Sequence, residues 1–244
     1  MRALFFASIL AVTAACSAGA RNNDSGNARG ELSGPRISRD FQVAGAFDKV
    51  NLNGPMDVDV RVGAQASVRA EGQAAGLDRL EITVVDGELR VGTKPGTSGP
   101  LGNIIVHVTV PALAAASLNG PGDIDIDRVQ GQRFAANVNG PGDMRLGELR
   151  VGEASFQVSG PGGIHAAGGA QRADANLSGP GNIQLASFET RDANVSLQGP
   201  GDIDLRATGN VAVSLAGPGN VTISGTARCT VSRTGPGDVH CPNG

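Results

Sequence analysis

The chain has 244 residues, of which 37 are Gly and 13 Pro, so about a fifth of all positions are backbone punctuation and long helices are excluded. A hydrophobic share of 40% with a mean hydropathy of −0.07 is enough to bury a core and argues against disorder throughout. Trp and Tyr are absent, and Lys+Arg (20) fall short of Asp+Glu (23), so the chain lacks both the stacking platforms and the basic field on which nucleic-acid binding rests.

At the amino end, Arg2 is followed by uncharged residues 3–15, which end in small side chains before Cys16. This run is too short to cross about 30 Å of hydrocarbon, which takes roughly 20 helical residues, so residues 1–15 read as a removable signal peptide. Thr13-Ala14-Ala15-Cys16 resembles a bacterial lipobox, in which the cysteine is acylated and becomes the mature N-terminus. Thr13 stands where an aliphatic residue is usual, and simple cleavage after Ala20 is the competing reading. Residues 16–40 carry hardly an apolar side chain and read as a flexible tether with an r.m.s. span of roughly 27 Å.

Residues 41–111 hold strand-like runs, among them Asp57–Val62, Leu80–Val85, Glu88–Val91 and Ile104–Pro111, with a turn at Asp86-Gly87. No independent domain boundary interrupts them. They are expected to extend, in the same winding, the fold that the following residues specify, making one domain over 41–244.

From residue 112 to 241 the chain repeats. Gly-Pro-Gly begins at Gly120, Gly140, Gly160, Gly179, Gly199, Gly217 and Gly235, at intervals of 20, 20, 19, 20, 18 and 18, and a degenerate copy stands at Gly54-Pro55-Met56. Two positions before each corner are Leu118, Val138, Val158, Leu177, Leu197 and Leu215, with Arg233 the polar exception. Three before are Ser117, Asn137, Gln157, Asn176, Ser196, Ser214 and Ser232, polar throughout. Four beyond are Ile124, Met144, Ile164, Ile183, Ile203, Val221 and Val239. This period of two on both sides of a corner is a pair of half-buried strands per repeat.

Repetition at this spacing predicts an all-β fold, a parallel β-solenoid of 18- to 20-residue coils that stack like upon like. The structural turns are Gly120, Pro121, Gly122, Gly140, Pro141, Gly142, Gly199, Pro200 and Gly201 with their equivalents. Proline sets φ near −65° and the glycine after it is expected to take φ > 0, as in a type II turn. Such a turn suits a coil rounding a corner better than a tight antiparallel hairpin.

Beyond the repeat, Phe47-Asp48-Lys49-Val50 leading to Gly54, Asp57-Val58-Asp59-Val60, residues 84–91, Val108-Thr109-Val110-Pro111 and the Gly-rich ladder resemble the head GIN domain family of putative autotransporter adhesins. The resemblance covers about residues 40–241. It implies an exported bacterial β-helical protein, often a lipoprotein, and it carries over no functional residue. The expected location is the outer membrane or periplasm of a Gram-negative bacterium, with a lipid anchor on Cys16.

Three constellations invite a functional reading. Asp123, Asp143 and Asp202, in the column after the corners, are weak candidates for a calcium ladder, against which stands backbone capping by Asp and Asn in a turn. Asp57/Asp59, Asp123/Asp125/Asp127 and Asp202/Asp204 place alternate carboxylates on one strand face, which would suit a polysaccharide-acting β-helix enzyme or a solvated surface. His107, His165 and His240 are too scattered for a metal trio, and no nucleophile-base motif stands out, so neither cofactor nor catalytic residue is expected. Cys229 and Cys241 are expected to form a disulfide that closes the carboxyl end, with two free core thiols as the alternative. Facing sheets about 10 Å apart would be too distant for that bond, so the last coil must be narrow. The function expected is non-enzymatic: a cell-envelope lipoprotein whose repetitive surface binds an envelope protein or glycan. The alternatives are the polysaccharide-acting enzyme and a structural, ion-loaded rod.

Overall fold

The computed structural model describes Leu32 and residues 34–242. The signal peptide, Cys16 and most of the tether lie outside the described residues. The chain forms strands β1 (Arg36–Phe41), β2 (Lys49–Asn53), β3 (Asp57–Val62) and β4 (Ser67–Gln73), a short helix α1 (Ala74–Leu77), then β5 (Leu80–Val85), β6 (Glu88–Thr93), β7 (Ile105–Val110) and β8 (Ala115–Asn119). Four long strands follow: β9 (Ile124–Asn139), β10 (Asp143–Ser159), β11 (Gly163–Ser178) and β12 (Asn182–Gln198). The last five are β13 (Asp202–Ala207), β14 (Asn210–Ala216), β15 (Asn220–Gly225), β16 (Arg228–Thr234) and β17 (Asp238–His240).

The parallel β-solenoid is the observed fold, with about six turns. Each residue pairs with its equivalent one coil away: Ile124 with Met144, Met144 with Ile164, Ile164 with Ile183, and Ile183 with Ile203. The inward columns read from the sequence are the core, with Leu118, Val138, Val158, Ile124, Met144 and Ile164 all fully buried. Strands that precede a corner form one sheet, here sheet A, and strands that follow it form sheet B. The long strands also turn at their middle. Asp127 and Arg128 are both exposed, Val129 is buried, and residues 130–133 are exposed again, so each full coil has a short third side whose inward residues are Val129, Leu149 and Phe188.

Packing between coils is compensated. In β11 several inward positions are small, with Ala175 over Phe156 on one side and Gly168 against Phe188 on the other. The two phenyl rings lean into that coil from its two neighbours and meet edge to face, 5.4 Å apart at 86°. Large residues on the neighbouring coils thus fill what Ala and Gly leave open.

The corners depart from the expected turn. Positive φ falls on the glycine before the proline, from 117° at Gly235 to 155° at Gly140, and not on the glycine after it. The second glycine is needed for a different reason. Gly142 N–H donates to the Gly120 carbonyl one coil away at 3.2 Å, and a Cβ on Gly142 would overlap the Gly122 carbonyl oxygen. The same bond recurs at Gly122 to Gly54, Gly162 to Gly140, Gly219 to Gly199 and Gly237 to Gly217. Pro121 sits exposed between the two glycines.

The amino-terminal third corrects the expectation of uninterrupted winding. The coil β2–β3 lies between β6–β7 on one side and β8–β9 on the other, so the chain lays down one coil, leaves it, and returns beneath before crossing above. Antiparallel strands close this end: β5 on β6, β4 on β7, and β1 on β4. Leu77 of α1 enters the core here. Strand β1 starts at Arg36, inside the segment read as tether; it pairs along its whole length with β4, and Asp40 accepts from Arg69 at 2.7 Å.

At the other end a disulfide joins Cys229 of β16 to Cys241 beyond β17, with their Cα atoms 6.6 Å apart. The last coil is therefore narrower than facing sheets would allow elsewhere. Arg233 turns its guanidinium to the Gly237 carbonyl at 3.0 Å and to Asp238 at 3.4 Å, and Val231 is left 46% exposed.

Two substitutions separate corner sterics from composition. Gly142→Ala should cost about 1–3 kcal/mol or more in urea unfolding, whereas Gly131→Ala, where a Cβ meets nothing within 4 Å, should stay within about 0.5 kcal/mol. Reduction of the disulfide should cost about 2–3 kcal/mol. In hydrogen exchange it should loosen residues 228–241 and leave 124–198 unchanged.

Candidate functional site

The polar side chains of the described residues stand in ladders on open surfaces, and the three sides of the coil carry different chemistry. Sheet B is acidic. Its first outward column holds Asp57, Asp123, Asp143 and Asp202, and the next holds Asp59, Asp125 and Asp204. Arg145 lies among three of these carboxylates, 3.5 Å from Asp123 Oδ2, 3.5 Å from Asp143 Oδ2 and 3.9 Å from Asp125 Oδ1. His107 Nδ1 is 3.1 Å from Asp59 Oδ2, with Glu71 at 4.0 Å from its other nitrogen.

The column proposed for calcium has a structural use. Asp57 Oδ1 accepts the Asp123 N–H, Asp123 Oδ1 accepts the Asp143 N–H at 2.9 Å, and Asp202 Oδ1 accepts both the N–H and the Nδ2 of Asn220. Each carboxylate caps the backbone of the next coil, where a turn-local cap had been the expectation. Gly163 interrupts this column, and the Oδ1 of Asn182, packed over Gly163, is buried without a hydrogen-bond partner.

Asp59 and Asp125 are direct neighbours on parallel strands, beside an open groove of about 280 Å³ lined also by Arg61, Asp127 and Arg145. Burial raises the Asp125 carboxyl above its ordinary range; Arg145 opposes the rise, and Asp59, Asp123 and Asp57 add to it. The proton balance sets a sign. The folded protein holds this proton more tightly than the unfolded chain, so its contribution to stability is present at low pH and is lost as pH rises through the carboxylate range.

The edge opposite the Gly-Pro-Gly corners carries alternating charge. Arg133, Glu153, Arg172 and Asp192 stack in register, with Arg133–Glu153 at 3.1 Å and Glu153–Arg172 at 3.8 Å. Exposed pairs of this kind contribute about 0–1 kcal/mol each, but a slip by one coil would set like charges together. A groove of about 740 Å³ runs along this edge. The inward Thr190, buried on the short side, donates its hydroxyl to the Asp192 carbonyl at 3.1 Å.

Sheet A is different again. Its outward columns carry amides and hydroxyls: Asn139 Nδ2 donates to Asn119 Oδ1 at 3.0 Å, Asn119 Nδ2 to Asn51 Oδ1 at 3.1 Å, and Asn137 Nδ2 to Ser117 Oγ at 3.5 Å. Reading the sequence by columns found Ser117 and Asn137 polar and did not single out Asn51, Asn119 or Asn139. It did not find the bonds between coils, nor Arg145 as the common partner of three aspartates.

With this geometry in place, the family can be assigned. Residues 46–227 match the model described as putative auto-transporter adhesin, head GIN domain. The chain belongs to this family. Among solved structures, this head GIN domain is similar to a putative adhesin from Bacteroides fragilis, at 22% identity and TM-score 0.78, covering 85% of this chain and 97% of that one. It is also similar to a putative adhesin from Parabacteroides distasonis (19% identity, TM-score 0.71, 85% and 97% covered) and to a putative lipid binding protein from the same species (19%, 0.69, 85% and 96%). These likenesses concern the fold. No curated protein matches the chain.

Asp125→Asn removes the carboxylate whose ionisation the fold resists. It should raise the melting temperature at neutral pH, and the gain should shrink to nothing as pH falls below the ordinary aspartate value of 3.8, followed by calorimetry across pH.

Proposed function

We propose that the protein is a non-enzymatic binding protein of the cell envelope, exported by residues 1–15, held to the membrane through acylated Cys16, and acting by contact along the flank of its solenoid. The observation that carries this reading is the disposition of the polar side chains. They lie in shallow ladders along the sheets, and several of the charged ones bind one another or the next coil's backbone. Arg145 with its three aspartates and His107 with Asp59 are examples. The names of the similar structures, adhesins in two cases, agree with a binding role.

Strand β1 (Arg36–Phe41) takes up the end of the segment read as tether, so the proposed tether runs from Cys16 to about residue 35.

Mass spectrometry of the mature protein is expected to find an acylated Cys16 at the N-terminus, and Cys16→Ser is expected to move the protein to the soluble envelope fraction. An unmodified N-terminus after Ala20 overturns the anchor. Cleavage of bacterial or plant glycans that is lost on Asp125→Asn overturns the non-enzymatic reading.

A further inference from the structure

Sheet A differs from every other surface of the coil in its near-absence of charge. Beyond its amino-terminal edge, where Glu88 and Arg90 of β6 stand beside Lys49 and Asn51, its three outward columns run in unbroken register from Lys49, Asn51 and Asn53 on β2 through β8, the long strands and β14 to Thr230, Ser232 and Thr234 on β16. Of these 24 positions only Lys49 and Asp174 ionise; the rest are Asn, Gln, Ser, Thr and Ala. Asp174 is itself engaged, accepting from Asn194 Nδ2 at 2.8 Å. A face this neutral, on a rod whose other long face is lined by aspartates, offers no charge for a polyanion or a polycation to recognise.

What it offers is hydrogen bonding. A carboxamide has two N–H donors and an oxygen with two lone pairs, and a hydroxyl both donates and accepts. The bonds from Asn139 to Asn119 and from Asn119 to Asn51 spend one donor of each amide along the rod. Asn51 is saturated at its oxygen, which also accepts from Asn53 Nδ2 at 2.9 Å, but Asn119 and Asn139 each keep a second N–H and a lone pair for a partner, on side chains already held in place. Such an array loses little side-chain entropy when a partner docks. It repeats every coil, about 4.8 Å, along a flat surface.

We propose that this face of sheet A is the contact surface, and that its ligand is an uncharged, hydroxyl-rich polysaccharide laid along the rod across successive coils. The inference rests on the binding role proposed above and names the ligand class for it. A neutral sugar chain presents the matching chemistry, hydroxyls that donate and accept at every unit, and needs no charge partner. None of these positions is aromatic, so no ring on this face grips a single sugar; each unit contributes weakly and affinity must accumulate over many coils. Two signatures follow: retention that grows with polymer length, and retention that is indifferent to salt.

The test is co-sedimentation of the mature full-length protein, in detergent, with insoluble neutral glucans and with beads carrying alginate or heparin. Soluble neutral oligosaccharides of increasing length serve as competitors. The expected result is retention on a neutral glucan, unchanged between low and high salt, with competition improving steadily with oligosaccharide length. Asn137→Glu combined with Gln157→Glu should weaken retention about tenfold or more, and Ser196→Arg combined with Ser214→Arg should do the same with the opposite charge. Gln184→Glu on sheet B should change it by less than about twofold. Circular dichroism and melting of each variant show whether the fold is kept; the two sheet A pairs are independent, so loss in either folded variant serves. Binding only to the polyanions, or to no neutral glycan, overturns the ligand class. If in the latter case a protein partner is captured through the same face, the binding role stands. Neutral-glycan binding that survives both sheet A pairs overturns the assignment of the face. Glycan cleavage overturns the binding role itself.

Discussion

The whole rod depends on how closely two coils can approach at the Gly-Pro-Gly corner. There, the N–H of one glycine reaches the carbonyl of the corresponding turn in the adjacent coil at about 3 Å, in a space where a Cβ would collide with backbone. The steric closeness, a backbone oxygen where a Cβ would sit, is met at every Gly-Pro-Gly corner, so the strands on either side are set in register, and equivalent residues stack at each position. A one-residue slip would turn every inward aliphatic side chain outward. The repeat of 18 to 20 residues is thus one steric condition applied many times. The variation in length is absorbed away from the corners, at the irregularities between Leu146 and Leu149, His165 and Ala167, and Leu185 and Glu189.

Stacking like upon like makes each column a collective property. Aliphatic columns become a continuous core, in which the two phenylalanines beside β11 make up for its alanines. Polar columns become hydrogen-bonded ladders whose character is that of the column and not of any single residue. Aspartate after the corner serves the next coil's backbone; arginine and glutamate alternate along the opposite edge; asparagine and serine run along sheet A. A protein built this way acquires long surfaces of uniform chemistry, each side of the coil with its own.

Much of this was legible in the sequence because inward and outward positions alternate with a period of two and the corners mark the phase. The buried columns from Leu118 to Leu215 and from Ile124 to Val221 could be written down from spacing alone. Which glycine carries the positive φ could not, since Gly-Pro-Gly permits it on either side and the choice is made by the adjacent coil. Nor could the threading of the first third be read. Residues 49–53 and 88–91 have the same alternation as the regular repeats, and nothing local says that the later segment lies beneath the earlier one. Of the candidate surfaces, the polarity was visible and the bonding was not. Arg145 is one arginine in a column of mixed residues until the coils are stacked, and Asn51, Asn119 and Asn139 are neighbours only across 20 to 68 residues of chain.

The out-of-order first coils set the sequence of events by which the rod assembles. A chain emerging amino end first presents β2 and β3 before the residues of β6 and β7 exist, and β2 finds its second neighbour only when Ala115, 66 positions later, pairs with Lys49. Every subsequent coil closes over a segment of 18 to 20 residues onto a ready edge. Closing the long segments is the slow step and zipping the short ones the fast step. Assembly is therefore gated at the amino end: until β6 and β7, ending at Val110, are available β2 and β3 have no parallel neighbour, and from Ala115 onward each turn folds on the one before it.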